Sequence, residues 1–140
     1  MVTDNIISSA VTLLDTNWNT SNTGGVKPNI ANITELKRTS GDSVLLYSIS
    51  EVPEDNAAGV GSKKKTKVIA MDCRSSTSFA QIILMKEEVE RIMNANQVDP
   101  FSDLVYSISD ITDIQDMSDR TRCLFRFKLD VKFEQFNITI

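Results

Sequence analysis

Apolar residues recur at helical spacing in two segments of this 140-residue chain. Over residues 4–18 they form a broad stripe that ends at Trp18, and the opposite face is polar. Thr3 or Asp4 can cap the start of this segment, because short polar side chains accept hydrogen bonds from free backbone N–H groups there. The pattern predicts an amphipathic helix over residues 4–18.

The second helical pattern covers residues 78–96. Its buried stripe has apolar side chains at three- and four-residue intervals: Ile82, Met85, Val89 and Ile92. Ser78 followed by Gln81 fits a capping box. Two oppositely charged pairs stand four residues apart on the outer face, Lys86 with Glu90 and Glu87 with Arg91. We therefore predict a second helix with a charged outer side.

Alternating apolar and polar residues predict four strands. The signal is strongest over residues 122–134, where the alternation is strict, as in a strand with one buried face. Residues 44–52, 66–74 and 103–112 carry shorter apolar or β-branched runs. After Gln135 the apolar phase shifts by one residue, which predicts a β-bulge or a bend near that position.

These elements follow the order α-β-β-α-β-β, which predicts an α+β fold. We expect a two-layer sandwich, in which an antiparallel four-stranded sheet carries both helices on its apolar face. Such a sheet has open edges. A long edge strand with a charged outer face would be a natural pairing surface for another subunit.

The length suits a single domain over residues 1–140, with two interruptions of the pattern. Residues 19–43 are polar and contain Gly24, Gly25 and Pro28, which predicts a long arm that lies on a surface or reaches a neighbouring subunit. Residues 53–65 are rich in small residues and lysine, which predicts a flexible hairpin loop.

Composition excludes several classes of function. The chain has no histidine, which removes Ser-His-Asp and Cys-His catalysis and the usual zinc sites. A net charge of −4 gives no whole-chain case for nucleic-acid binding. The apolar runs are too short to span a bilayer. We therefore expect no catalytic residue, no cofactor, no metal, no secretion and no membrane partner.

Both cysteines, Cys73 and Cys123, fall in predicted strands. Two cysteines cannot build a disulfide framework for a domain of this size. We expect both to be small buried side chains, with a disulfide as the alternative.

An acidic series repeats every three residues: Asp110, Asp113, Asp116 and Asp119. We interpret it as a solvated turn over residues 113–121. The alternatives are a metal site on one side of a helical turn and an acidic surface that faces DNA or a partner.

Two basic groups are candidate contact residues. Four lysines lie in or beside the predicted loop: Lys63, Lys64, Lys65 and Lys67. They form either a solvated tip or a contact with an acidic subunit surface or with phosphates. The polar face of the last strand carries Arg126, Lys128 and Lys132. This face is either solvated or a charged subunit interface.

The whole-chain pattern resembles the tail terminator (tail completion) proteins of tailed bacterial and archaeal viruses. The likeness covers about residues 3–136. It comprises a helix ending near Trp18, a polar arm with VKPNI, GDSVLLYSI, a Gly/Lys loop leading to KVIAMDCRSS, the helix SFAQIILMKEEVERIMNA, and the closing strands DLVYSISDI and CLFRFKLDVKFEQF. The order and size of the elements carry it, and related neck and head–tail joining proteins look similar at this level.

The resemblance implies a structural virion protein of the tail and neck, assembled in the host cytoplasm. Its copies would form a ring, usually a hexamer, that ends the tail tube and joins it to the head. Its partners would be other copies of itself, the tail tube protein, a head-completion or neck protein, and DNA in transient passage. Ring closure needs two complementary patches, for which the edge strands, the arm and the loop are candidates. The acidic series would face the lumen and repel DNA.

Two other classes of function stay open at the level of sequence. One is another neck or tail-tube component, or an interaction domain outside viruses. The other is an enzyme that uses a pair of carboxylates, since such chemistry needs no histidine.

Overall fold

The computed structural model describes residues 6–33, 41–55, 62–97 and 107–138 of this α+β protein. Its elements are helices α1 (Ile6–Asn17) and α2 (Phe79–Ala95), 3-10 turns at Thr20–Thr23 and Arg120–Arg122, and strands β1 (Asn29–Asn32), β2 (Ser43–Asp55), β3 (Ser62–Ser75), β4 (Ser107–Asp116) and β5 (Phe125–Ile138). Both predicted helices are confirmed. The predicted capping residues Thr3 and Asp4 lie outside the described residues.

The sheet is five-stranded and mixed, in the order β1-β2-β3-β5-β4. The four long strands pair antiparallel with their neighbours, as predicted. The prediction of a four-stranded antiparallel sheet is wrong in detail, because β1 adds a fifth strand that runs parallel to the start of β2. The strongly alternating strand, β5, lies in the interior of the sheet. The two edges are β1 and β4.

Both helices pack on one face of the sheet, as predicted. α1 lies over β1 and β2, while α2 lies over β3 and β5. The alternation along β5 places four apolar residues under the helices, none of them more than 8% exposed: Phe127, Leu129, Val131 and Phe133. Burying a large apolar side chain contributes about 1.5–3 kcal/mol relative to leaving it exposed. These four residues form the floor of the apolar core, which the helices and strands β2 and β3 complete.

Residues 19–33, predicted as part of a polar arm, belong to the domain itself. The Asn19 side chain accepts a hydrogen bond from the backbone N–H of Ser21 (3.0 Å) and so begins the first 3-10 turn. Gly24 ends this turn at φ 67°, in the left-handed region that favours glycine. Trp18 Nε1 donates to Thr23 Oγ1 (3.2 Å) inside the core. This half of the arm is thus a turn and an edge strand, and residues 34–40 lie outside the described residues.

β2 and β3 are longer than predicted and occupy both ends of the predicted loop 53–65. Their pairing continues to Asp55 opposite Lys63, and residues 56–61 lie outside the described residues. The register of β3 with β5 runs without a shift from Ser62 opposite Ile138 to Ser75 opposite Phe125. The bulge predicted near Gln135 is therefore absent from this ladder. β4 begins opposite Glu134, while β2, β3 and β5 continue past the level of Gln135. There the apolar residues of β5 need not all lie on the face that the helices cover.

The two cysteines differ in environment. Cys73 is buried in the core on β3, as predicted, and burial raises the pKa of its thiol. Cys123 is exposed and ends the second 3-10 turn at φ 54° rather than lying in a strand. The prediction of a buried Cys123 is wrong. Both thiols are free, so the alternative of a disulfide is wrong as well.

The start of α2 is fixed by one half of the predicted capping box. Ser78 Oγ accepts a hydrogen bond from the backbone N–H of Gln81 (3.0 Å). The Gln81 side chain is directed elsewhere: its Nε2 donates to the carbonyl of Thr23 (3.0 Å) and to Asp42 Oδ2 (3.1 Å). These bonds tie α2 to the first 3-10 turn and to the start of β2.

One of the two predicted ion pairs on α2 is confirmed. Lys86 Nζ lies 3.0 Å from Glu90 Oε1. Arg91 pairs with Glu88 at 2.7 Å rather than with the predicted Glu87. Glu88 is buried and Glu87 is exposed, so the arginine bonds the carboxylate that lies inside the domain.

Candidate functional site

The face of the sheet opposite the helices, called the open face below, carries a row of charged side chains along its interior strand β5. Alternation along β5 places five charged residues there: Arg126, Lys128, Asp130, Lys132 and Glu134. The three basic candidates from the sequence therefore share one face, as the alternation predicted.

A buried carboxylate held by two arginines lies at one end of the open face. Asp72 is 0% exposed, and Arg74 on β3 stands opposite Arg126 on β5. Arg126 Nε donates to both oxygens of Asp72 (2.9 Å each), and Arg126 Nη2 lies 2.7 Å from Asp72 Oδ2. Arg74 donates through Nε (3.2 Å) and Nη2 (2.9 Å). Asp72 needs such partners, because burying a carboxylate without them costs several kcal/mol of folding free energy.

The two arginines carry one positive charge more than Asp72 neutralises. Their side chains are 40% exposed for Arg74 and 32% exposed for Arg126, although the buried carboxylate fixes both. The hydrogen bonds to Asp72 raise the pKa of Arg126, and Tyr47 contributes in the same direction. Guanidinium groups held in place at a surface are pre-organised to bind a carboxylate or a phosphate.

Elsewhere along β5 the charges are locally paired. Lys128 Nζ lies 3.5 Å from Asp130 Oδ1, and Lys132 Nζ lies 3.5 Å from Glu134 Oε1. These pairs balance the charges of β5 beyond Arg126, so the positive charge of Arg74 and Arg126 is not continued along this strand.

β4 carries a three-residue repeat over residues 108–116, Ile-Ser-Asp, Ile-Thr-Asp, Ile-Gln-Asp. Its pairing with β5 shifts register twice, between Ile108 and Asp110 and between Ile111 and Asp113. Each shift sets three residues of β4 against two of β5. Ile108, Ile111 and Ile114 therefore all stand opposite core residues of β5, although they are three residues apart.

The same shifts divide the acidic series. Asp110 stands opposite Lys132 and Asp113 opposite Asp130, at open-face positions, whereas Asp116 stands opposite Phe127 on the helix side. Asp119 begins the second 3-10 turn. The predicted turn over 113–121 is thus a strand as far as Asp116. Within the described ranges, no group of three or more cysteine or acidic side chains could hold a metal ion.

The structure places the four candidate lysines in β3 rather than in a loop. Acidic residues of β2 stand opposite three of them: Asp55 opposite Lys63, Glu54 opposite Lys64, and Glu51 opposite Lys67, while Pro53 stands opposite Lys65. Lys67 is only 6% exposed and stands opposite the core residue Phe133. These lysines are strand residues, and Lys67 belongs to the helix-facing layer.

Two exposed apolar residues near the turn between β4 and β5 escaped the sequence analysis. Met117 is 45% exposed and Leu124 is 52% exposed. Backbone bonds continue the β4–β5 register here, from Met117 N–H to the Arg126 carbonyl (2.8 Å) and in both directions between Asp119 and Leu124 (2.7 and 3.0 Å). Alternation then puts Met117 and Leu124 on the open face with Arg126. The sequence held one sign of this surface: Leu124 is apolar, although it falls at a position of the last strand where the alternation places polar residues.

A second buried carboxylate, Glu88 on α2, was also missed. It is 1% exposed and accepts hydrogen bonds from the Asn19 backbone N–H (2.7 Å), from Asn22 Nδ2 (2.9 Å), and from Arg91 Nε and Nη2 (both 2.7 Å). Burial opposes its ionisation, but these bonds outweigh burial and lower its pKa. Its burial could have been predicted from its position three residues after Met85, which places it within the apolar stripe of α2. Glu88 holds α2 to the first 3-10 turn.

No protein-family model matches the chain. A comparison with curated proteins finds no match either. No helix within the described ranges is long and apolar enough to cross a membrane.

Proposed function

We propose that this protein is a structural virion assembly protein, a tail terminator whose copies form a closed ring that caps the tail tube and joins it to the neck. The resemblance in size and order of elements suggests this role and a hexameric ring. One structural observation supports it most: the sheet ends in two unlike edges, and an exposed apolar side chain beside a charged one lies on β4 and in the segment that leads into β1.

The first edge is β4. Ile114 is 42% exposed there, and Asp116 stands two residues away on the same side of the strand. Hydrogen bonds from Ser118 lower the pKa of Asp116, which keeps this carboxylate ionised at neutral pH.

The opposite edge is β1, and the segment that leads into it carries the complementary groups. Val26 is 47% exposed. Next to it, the Lys27 side chain is 47% exposed and pairs with Asp15 at 2.9 Å. A ring needs two different patches that fit each other, because every copy contacts one neighbour with each patch. An apolar residue beside an anion on β4, and an apolar residue beside a cation near β1, meet that requirement.

Both edges are better suited to contacts between side chains than to strand pairing that would continue the sheet from one copy into the next. β1 has only four residues, and β4 shifts register twice. Short edge strands and bulged edge strands are features that prevent edge-to-edge pairing. The proposed contact therefore depends on Ile114 and Val26 rather than on new strand pairing.

Sedimentation velocity over a series of protein concentrations tests the proposal. A ring that closes gives one large species of fixed mass, and its subunit number follows from that mass. Monomer at every concentration would contradict the proposal. A mass that keeps growing with concentration would point to an open polymer, as a tail-tube protein forms.

Paired variants test the head-to-tail contact. Val26→Asp and Ile114→Asp each put a buried carboxylate into one half of the contact, so each variant alone should lose the large species. Each variant keeps the patch that the other has lost, so an equimolar mixture should give two-subunit complexes and nothing larger. Leu84→Asp is the matched control, since Leu84 is exposed (37%) on α2, and it should assemble like wild type.

A further inference from the structure

We infer that the open face beside the β4–β5 turn is a docking site for an acidic segment of a partner protein, one with an apolar side chain next to its carboxylate. The arginine patch, as we call this site, consists of Arg74, Arg126, Met117 and Leu124. The inference rests on the proposed assembly role, in which a ring holds a second protein on one of its faces.

Charge is the first ground for this site. Arg74 and Arg126 bind the same buried carboxylate, so within the described ranges one positive charge between them has no carboxylate of its own. A guanidinium has five N–H donors. Arg74 uses Nε and Nη2 on Asp72, which leaves its Nη1 for another acceptor. Because Asp72 already fixes both side chains, a partner carboxylate binds them with little further loss of side-chain freedom.

Exposed apolar surface is the second ground. Met117 stands across the ladder from Arg126, and Leu124 lies two residues before Arg126 on the same face. About half of each apolar side chain is exposed, 45% for Met117 and 52% for Leu124. Cross-strand neighbours have their Cβ atoms about 4.5–5.5 Å apart, so the cations and the apolar groups form one continuous patch. Methionine and arginine are both enriched at protein interfaces, and arginine is enriched among the residues that contribute most to binding.

The surroundings favour a protein carboxylate over nucleic acid. A phosphate backbone is followed by a row of cations, whereas Lys128 and Lys132 are each paired with a neighbouring carboxylate. The two arginines of the neighbouring turn are paired as well, Arg120 with Asp116 and Arg122 with Asp119, at 3.7 Å each. Met117 and Leu124 add nothing to phosphate binding, but they contribute to binding an apolar side chain.

Fluorescence anisotropy with two labelled peptides tests the inference. One peptide alternates leucine with glutamate, and the matched peptide alternates leucine with glutamine. The glutamate peptide should bind at least about tenfold more tightly, a factor that corresponds to roughly 1.4 kcal/mol. An unlabelled oligothymidine should not displace it. In NMR spectra of the same mixture, the Arg74 and Arg126 Nε–H signals should shift, which locates binding at the patch.

Three variants test the residues of the patch. Arg74→Gln, Met117→Ser and Leu124→Ser should each weaken the glutamate peptide by about tenfold. Arg74 is chosen because Arg126 still holds Asp72 in that variant, and circular dichroism with a thermal melt confirms that each variant folds. Lys27→Gln and Leu84→Ser are the matched controls, and both should bind the peptide like wild type.

Several results would overturn the inference: equal affinity for the two peptides, displacement by oligothymidine, or no binding of either peptide. Loss of self-association in Leu124→Ser would assign the patch to a second copy of this chain, which also overturns it. The outcome for the ring is separate. Wild-type protein that binds the peptide at the patch but stays monomeric would remove the proposed function and leave the site.

Discussion

Asp72 and Glu88 are the residues on which the polar structure of this protein depends most. Each is buried, and each is the shared acceptor of donors from different parts of the chain. Asp72 joins neighbouring strands, and Glu88 joins a helix to a turn. A buried carboxylate is costly when its donors are removed, so these two residues give larger effects than the exposed pairs.

The two arginines on Asp72 should contribute unequally to stability. Arg126 contacts both carboxylate oxygens at 2.9 Å or less, whereas Arg74 contacts one oxygen. Arg126→Met should therefore lower the free energy of unfolding by about 3 kcal/mol, and Arg74→Met by about 1 kcal/mol. Urea denaturation measures both. Arg122→Met is the control, because Arg122 is 77% exposed and its pair with Asp119 spans 3.7 Å. The reverse order for Arg74 and Arg126 would contradict the assignment.

Glu88 should make stability depend on pH in the acid range. Its pKa in the folded protein is lowered from the ordinary value of 4.5, so its contribution is present above pH 4.5 and is lost as pH falls through the folded pKa. Glu88→Gln should lower the melting temperature at pH 7 and flatten its decline below pH 4.5. Glu87→Gln, at the exposed neighbour, should leave the wild-type profile unchanged. Parallel profiles for wild type and Glu88→Gln would refute this role.

At the scale of elements, β4 shows how a strand can follow a period of three. Two register shifts allow Ile108, Ile111 and Ile114 to face the helices. Thr112 lies at the second shift, where its Oγ1 donates to the carbonyl of Asp130 (3.2 Å). A side chain thus supplies a bond to the ladder at the bulge.

This arrangement makes a prediction that strict alternation would reverse. Ile111→Ala should cost about 1–2 kcal/mol of unfolding free energy, because Ile111 packs against the core. Thr112→Ala should cost about 0.5 kcal/mol, because Thr112 is exposed and loses one hydrogen bond. Chemical denaturation of the two variants measures the difference. A larger loss for Thr112→Ala would show that β4 alternates with a period of two.

The elements that local pattern determines could be predicted from the sequence. The spacing within α2 and the alternation within β5 depend only on residues close in sequence, so the predictions of their buried faces were correct. β1 could not be predicted in this way, since four residues of a polar segment become a strand only by pairing with β2. The bulges of β4 had a signal, the Ile-x-Asp repeat, but the repeat fits a helical turn as well as a bulged strand.

The candidate site was predictable only in part, for the same reason. Alternation placed Arg126, Lys128 and Lys132 on one face, and the structure agrees. It could not show that Arg126 shares Asp72 with Arg74, because that contact joins residues 54 positions apart. Nor could it show that Lys67 is buried, since the register with β5 decides which positions lie under the helices.

At the scale of the whole molecule, the helices cover one face of the sheet and leave two kinds of surface for contacts. The unlike edges, with Ile114 and Val26, suit contact between copies. The arginine patch suits a partner of a different chemistry. Because these surfaces use different residues, variants at one should leave the other intact.

The most direct test of the proposed assembly role is negative-stain electron microscopy of the purified wild-type protein, with end-on particles averaged by class. The account predicts closed rings with a single rotational symmetry and a central hole, and their loss in Ile114→Asp but not in Leu84→Asp. Two results would contradict it: isolated monomers at a protein concentration at which sedimentation velocity shows full assembly, or filaments that give no closed end-on view.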